Sequence, residues 1–252
     1  MTVQPLATLT TDGLQALVGA PEPLVALVPV GSVEPHGPHL PLGTDTTISL
    51  GAIARSEERL RQAGVMPLLA PAVPYGVTDY ADGFAGAVSI PATTLTAFLV
   101  AVRDGLLGEG FDHVCFVNNH LEPEHDAAVR AAVKDAPKGK ASVACPLTRR
   151  WGRTLSDEYK RGNCHAGRYE TSLVLAEAPE TVDRLRAQSL PALDISLATG
   201  IQQGQTTFAA MGIERAYTGA PAEATPEEGE DMYERLATMI ATEVLEALGR
   251  AG

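Results

Sequence analysis

The run PLVALVPVG, residues 23–31, is continuously apolar and closes on glycine. A short strand without polar alternation is covered on both faces, and such strands belong to sheets flanked by helices on either side. It continues into GSVEPHGPHLPLGTD, residues 31–45, which sets Glu34, His36, His39 and Asp45 among prolines and glycines. That composition suits neither helix nor strand. It describes a loop leaving the end of a core strand and carrying metal-ligand side chains. Ordinary solvated loops favour Ser, Asn and Lys, so the composition calls for a partner site elsewhere in the chain.

Working outward, residues 45–64 read as a helix with Ile48, Ala52, Ile53 and Leu60 on one side and Gly64 as its stop. VMPLLAPAVPYG, residues 65–76, is a strand entering a Pro/Gly loop. PATTLTAFLVAVRDGLLGEG, residues 91–110, is a second helix, with Pro91 near its start. DHVCFVNNH, residues 112–120, is a second core strand that also runs directly into ligand-type residues. EPEHDAAVRAAVKDA and ASVACPL supply the next helix and strand. The last helix carries Thr225, Pro226 and Glu228 in a capping arrangement, followed by an apolar face of Met232, Leu236, Met239, Ile240 and Val244. This alternation predicts one α/β domain over residues 1–252, a three-layer α/β/α with a mostly parallel central sheet. Residues 188–218, rich in Gln, Thr and Gly, read as irregular.

The net charge of −12 argues against a nucleic-acid partner, because phosphate contacts need clustered Lys and Arg. No apolar run approaches the about 18 residues of a membrane span, and the N-terminus lacks the features of a signal peptide, so a cytoplasmic protein is expected. Cys115, Cys145 and Cys164 are too scattered for a disulfide framework; the first two read as buried small hydrophobes.

In open α/β sheets, functional groups collect at the carboxyl ends of the strands. Two strands deliver ligands there: Glu34, His36, His39 and Asp45 after the first, and His120, Glu122, Glu124 and His125 after the second. Imidazole and carboxylate without thiolate suit zinc, manganese or iron in hydrolytic use. The count exceeds what one ion with an open position needs, and two ions roughly 3.5–4 Å apart account for it better. A single histidine beside proline is commonly a loop residue satisfied by a backbone carbonyl, but two clusters at two strand ends are not explained that way. A third cluster, GNCHAGRYETSLVLA, residues 162–176, holds His165 and Glu170 before a helix expected to start at Thr171 or Ser172. It reads equally as a capped helix with a buried histidine or as a proton donor and carboxylate facing the same crevice.

These clusters, in this order, resemble the creatininase (creatinine amidohydrolase) family. The family pattern Pro-x-Gly-Ser-x-Glu-x-His-Gly-Pro-His-Leu-Pro-x-x-Thr-Asp is met by PVGSVEPHGPHLPLGTD from Pro29, the Asn-x-His segment by VNNHLEPEH, and the last segment by HAGRYETS. The resemblance covers about residues 20–180. It implies a binuclear centre with Glu34 and His120 on one divalent ion, His36 and Glu122 on the other, and Asp45 bridging. It also implies a metal-activated water attacking an amide carbon, His165 protonating the leaving nitrogen, Glu170 as its acidic neighbour, and His39 orienting a ligand. A homo-oligomer, a hexamer by resemblance, is implied as well.

Departures bear on substrate. Many relatives read Asn-Gly-His-Gly-Gly-Asn where this chain has NNHLEPEH. Creatininase places an aromatic residue where Leu121 stands, and encloses its ligand with tryptophans, of which this chain has only Trp151. Creatininase activity is therefore not expected. Arg168 stands where many relatives carry glutamate, and the branch that trims the mycofactocin precursor peptide has a similar arginine; it would either hold a substrate carboxylate or be salt-bridged structurally. Glu124 and His125 are expected to begin the next helix. The expected function is a metal-dependent hydrolase of a non-standard C–N bond, in a small-molecule amide, a formamide or a peptide. The rival is a non-catalytic metal-binding or assembly protein that kept the fold.

Overall fold

The computed structural model describes residues 3–250. Its five strands are β1 (Gln4–Pro5), β2 (Leu24–Val30), β3 (Met66–Leu69), β4 (His113–Asn118) and β5 (Ala141–Ala144). They form one sheet in the order β1-β3-β2-β4-β5, and every pairing is parallel. Helices α1 (Thr11–Leu17), α2 (Thr44–Gln62), α3 (Ala92–Gly108) and α4 (Pro123–Lys134) lie between the strands. After β5 come α5 (Arg149–Gly152), α6 (Asp157–Arg161), α7 (Arg168–Glu177), α8 (Arg184–Ser189), α9 (Leu197–Gln202) and α10 (Pro226–Ala247).

Every residue of β2 and β4 is buried, and the alternation of the pleat sorts them by face. Val25, Leu27, Cys115 and Val117 join one apolar cluster with α2, α7 and α10. Leu24, Ala26, Val114 and Phe116 join another with α3 and α4. Burying each of these larger side chains stabilises the fold by about 1.5–3 kcal/mol, and the polar residues of β4, His113 and Asn118, stand at its two ends, where both are hydrogen-bonded. Cys115 and Cys145 are fully buried free thiols, as their apolar context suggests. The cap of α10 forms as its sequence indicates, with Thr225 Oγ1 accepting from the Glu228 amide at 3.1 Å. Among the described residues no helix is long and apolar enough to cross a membrane.

Two expectations are corrected, and one strand is unanticipated. Helix α7 starts at Arg168 rather than at Thr171 or Ser172, because the Glu170 carboxylate folds back to accept the Ala166 amide at 2.7 Å and so permits an earlier start. Residues 188–218 are not wholly irregular: α9 opens on Ser196, whose hydroxyl accepts from the Thr199 amide, and the segment after it packs Phe208, Met211 and Ile213 on Ala81 as a small cluster of its own. The two-residue β1 is too short to show a period in sequence.

Candidate metal centre

Strands β2 and β4 pair in register to their ends, with Val30 opposite Asn118. From β2 the chain moves to β3 on one side, and from β4 to β5 on the other, so the crevice between β2 and β4 lies at the switch point where open parallel sheets place their sites. The segments 31–45 and 119–122 leave that edge side by side.

Local chemistry fixes both segments. A Cβ on Gly31 would sit 2.7 Å from the Thr46 amide nitrogen, so only glycine lets the start of α2 fold back against the end of β2. Asp45, in the first turn of α2, accepts the Ser32 amide at 3.2 Å and closes that loop. Gly37, at φ +64°, makes the turn between His36 and His39. Beyond β4, the Asn118 side chain grips the backbone of His120 on both sides, accepting from its amide at 3.1 Å and donating to its carbonyl at 3.0 Å.

The three histidines of the crevice are set alike. His36 Nδ1 donates to the Glu34 carbonyl at 3.2 Å, His120 Nε2 to the Val77 carbonyl at 2.6 Å, and His165 Nε2 to the Pro35 carbonyl at 3.0 Å. A carbonyl only accepts, so each bond fixes which nitrogen carries hydrogen and turns the other toward the carboxylates. His36 Nε2 then stands 3.1 Å from Asp45 Oδ1, 3.6 Å from Glu34 Oε1 and 3.6 Å from Glu170 Oε2. His120 Nδ1 stands 3.1 Å from Asp45 Oδ2 and 3.3 Å from Glu34 Oε1, and His165 Nδ1 is 3.8 Å from Glu34 Oε1. Thr78 donates its hydroxyl to the other Glu34 oxygen.

These separations are those of neighbouring donors around a cation bound at roughly 2.0–2.2 Å from each. Three overlapping groups bring a ligand atom from each member within 4.8 Å of the others: Glu34, His36 and His165; Glu34, His120 and Glu122; and His36, Asp45 and Glu170. Asp45 spans the site, offering Oδ1 to the His36 side and Oδ2 to the His120 side. Without a cation, protons must separate these groups. Burial opposes charge on His36, but Asp45, Glu170 and Glu34 outweigh it and push its pKa up to about 10. His120 is raised well above its usual value against the same penalty by Glu34 and Asp45. Burial pushes Glu170 up to about 8 and Glu122 up to about 7. A set of buried, mutually facing N and O donors fits divalent ions well.

The donors open into a cavity of about 40 Å³, room for a few water-sized species and not for a substrate's body. Its walls are Tyr80, Leu121, Cys164, Leu197, Ile201 and Phe208, and the Phe208 ring lies 4.5 Å from that of His165.

The sequence model of the creatininase family, described as creatinine amidohydrolase, matches residues 7–244. The chain belongs to the creatininase family. A mycofactocin precursor peptide peptidase of Mycobacterium ulcerans (strain Agy99) is 34% identical over 213 residues, which are 82% of this chain and 79% of that one. A solved structure described as Creatininase Mn shares the fold with a TM-score of 0.73 at 22% identity, covering 97% of this chain and 98% of that one. A mutant creatininase described as Zn-Zn type gives 0.71 at 20% identity, covering 98% of each chain.

Within this creatininase-family chain, Glu34, His36, Asp45, His120, His165 and Glu170 converge as described. Glu122 is placed differently from the expectation that groups it with His36: its oxygens accept the Asp79 and Tyr80 amides at 3.1 and 3.2 Å, which draws it to the Glu34 and His120 side. His39 does not touch the donor set. Its Nε2 meets Thr171 Oγ1 at 2.8 Å and so ties the loop to α7.

Two expected substrate contacts lie elsewhere. Arg168 does not line the cavity; its Nε is 3.0 Å from Glu228 and its Nη1 3.4 Å from Glu223, so its charge is already matched. Trp151 belongs to the core and donates Nε1–H to Glu243 at 2.6 Å. Leu121 does line the cavity. Glu124 falls in the first turn of α4, while His125 is buried against His120, ring centroids 4.6 Å apart, and accepts the Val77 amide. Sequence reasoning missed Thr78, Tyr80, Leu197, Ile201 and Phe208. Nothing in their local sequence distinguishes them, because they reach the site only through tertiary packing.

Proposed function

We propose that this chain is a hydrolase of an amide bond in a peptide or peptide-derived substrate, dependent on two divalent ions of the zinc, manganese or iron type. The observation that carries the reading is the convergence of buried imidazole and carboxylate donors from two adjacent strand ends and the start of α7 on one small cavity. The peptide class is favoured by the similarity to the mycofactocin precursor peptide peptidase and by a cavity too small to enclose a whole substrate, so that only the reacting bond enters.

In this reading Glu34, His120, His36, Glu170 and Asp45 would hold the two ions, Glu34 and His120 on one side of Asp45 and His36 and Glu170 on the other. Glu170 takes the place beside His36 that sequence resemblance gives to Glu122, because its Oε2 stands 3.6 Å from His36 Nε2 while Glu122 groups with Glu34 and His120. Bound divalent ions would supply Lewis acidity, bringing the pKa of water toward neutrality and polarising the scissile carbonyl. His165 does the proton work. Burial, with His36 beside it, lowers its pKa to about 4, so it is neutral at pH 7. Its Nε2–H is committed to Pro35, leaving the Nδ1 lone pair free to take a proton from the attacking water and give it to the leaving nitrogen. Phe208, Leu197 and Ile201 keep bulk water away from that transfer.

Elemental analysis of the wild type and Asp45→Ala tests this reading. Two divalent ions per chain, falling well below two in the variant, are expected, with release of a new amine from peptides by the wild type alone. A chain that takes up no tightly held metal after refolding with zinc or manganese overturns it.

A further inference from the structure

A groove of about 500 Å³ adjoins the small cavity and shares with it Leu121, Pro123, Cys164, Leu197 and Ile201. Its volume falls in the range of ordinary ligand sites. The remaining wall is apolar on one side, through Pro146, Leu147 and Ala198, and basic at the rim, through Arg149, Arg153 and Lys160. All three basic residues are exposed.

The charges at this rim run against the rest of the molecule, whose net charge is −12. Several arginines elsewhere are matched, Arg55 with Glu177 and Glu230, Arg59 with Glu234, Arg130 with Asp126 and Arg150 with Glu246, although among the described residues Arg161, Arg184 and Arg215 are not. Lys160 pairs with Asp157 at the surface. Among the described residues no carboxylate pairs with Arg149 or Arg153. An acidic chain that leaves two guanidinium groups unmatched at the mouth of an apolar groove, continuous with the site of reaction, offers charge complementarity to an anionic ligand.

We propose that this groove is the subsite for the peptide segment next to the cleaved bond, and that it selects an apolar side chain followed by a carboxylate. The apolar side chain lies between Leu147, Leu197 and Ile201, and the carboxylate meets Arg149 and Arg153, whose planar donors suit it. The assignment rests on the peptide-hydrolysing reading above. It also moves carboxylate recognition from Arg168, already matched by two glutamates, to Arg149 and Arg153.

The chain has one tryptophan, Trp151, in the α5 segment that supplies Arg149 and Gly152 to the groove, so its emission reports occupancy. Binding of four peptides is followed by that emission and by calorimetry: acetyl-Leu-Leu-Glu, acetyl-Leu-Leu-Gln, and the C-terminal amide of each. The expected result is saturable binding of acetyl-Leu-Leu-Glu that weakens roughly tenfold in the Arg149→Gln/Arg153→Gln variant and with added salt. The doubly neutral peptide should bind wild type no better than it binds the variant. The two singly charged peptides show whether the terminal or the side-chain carboxylate is read. Replacing Leu-Leu by Ser-Ser should weaken binding in both proteins. Equal affinity of wild type and variant for all four peptides, or no heat and no emission change, overturns the proposal. Both arginines are exposed, so the variant is expected to fold as wild type does, which circular dichroism verifies. Binding is read without turnover. A chain that holds no metal yet prefers the acidic peptide sinks the hydrolase reading and leaves the groove standing; a metal-loaded, amide-cleaving chain indifferent to both arginines does the reverse.

Discussion

His36 Nε2 and Asp45 Oδ1 stand 3.1 Å apart, both side chains buried, with the far side of the imidazole already committed to the Glu34 carbonyl. Either a proton or a cation must lie between two such acceptors. Any metal uptake at this pair would therefore be coupled to proton release and to folding.

The first expectation is a pH effect in metal-free protein. The folded pKa of His36, about 10, lies above its usual 6.5. Its contribution to stability is thus complete below pH 6.5 and is lost as pH rises through about 10. Thermal unfolding of chelator-treated protein should show a falling midpoint from pH 7 to pH 10, and that fall should be absent once metal has displaced the proton. Zinc or manganese added at pH 7 should release protons, read by calorimetry in buffers of different ionisation enthalpy.

Glu170 and Glu122 separate by substitution. Glu170→Gln should lower metal content toward one ion per chain and abolish turnover. Glu122→Gln should keep both ions while loosening the Asp79–Tyr80 backbone it holds. Metal analysis of the two variants, with hydrogen exchange at residues 79 and 80, decides between them; the reverse pattern would restore Glu122 as the ligand.

His165→Asn should retain the metals and lose about 10²–10⁴ in kcat, the range of a positioned acid–base group. Steady-state kinetics with metal analysis on the same sample measures this. Loss of an ion instead would make His165 a ligand, as its place beside Glu34 and His36 also permits.

Gly31→Ala should cost about 1–3 kcal/mol, because the new methyl meets the backbone of Thr46, which cannot turn aside as a side chain can. Denaturant unfolding gives the value. Metal affinity should fall with it, since Glu34, His36 and Asp45 all hang from that joint.

Much of the architecture could be read before any coordinates. The uninterrupted apolar character of residues 24–30 and 114–117 calls for cover on both faces, which a parallel sheet between helix layers provides. The convergence of candidate donors could be read too, because Glu34, His36, Asp45 and His120 lie in short stretches directly after those strands, the first three among prolines and glycines. Grouping them was harder. Whether Glu122 or Glu170 completes a set depends on two amides, at Asp79 and Tyr80, that are distant in sequence and carry no side-chain signature. Arg168 shows the same limit: its chemistry suits a carboxylate, but Glu223 and Glu228 reach it first. The walls were invisible for another reason. Leu197, Ile201 and Phe208 sit in a Gln-, Thr- and Gly-rich segment with no period, and only the fold brings them over the crevice.

That division has a bearing on how such a protein can change over generations. The donors hang from two central strands and the first turns of two helices, where almost any replacement disturbs the core. Phe208 and its neighbours are packed in a small cluster of their own, and Leu197 and Ile201 sit on the short α9. Mutations there can reshape what fits beside the reacting bond while the chemistry below stays intact. Members of one family can thus part ways in what they admit while keeping the same arrangement of donors.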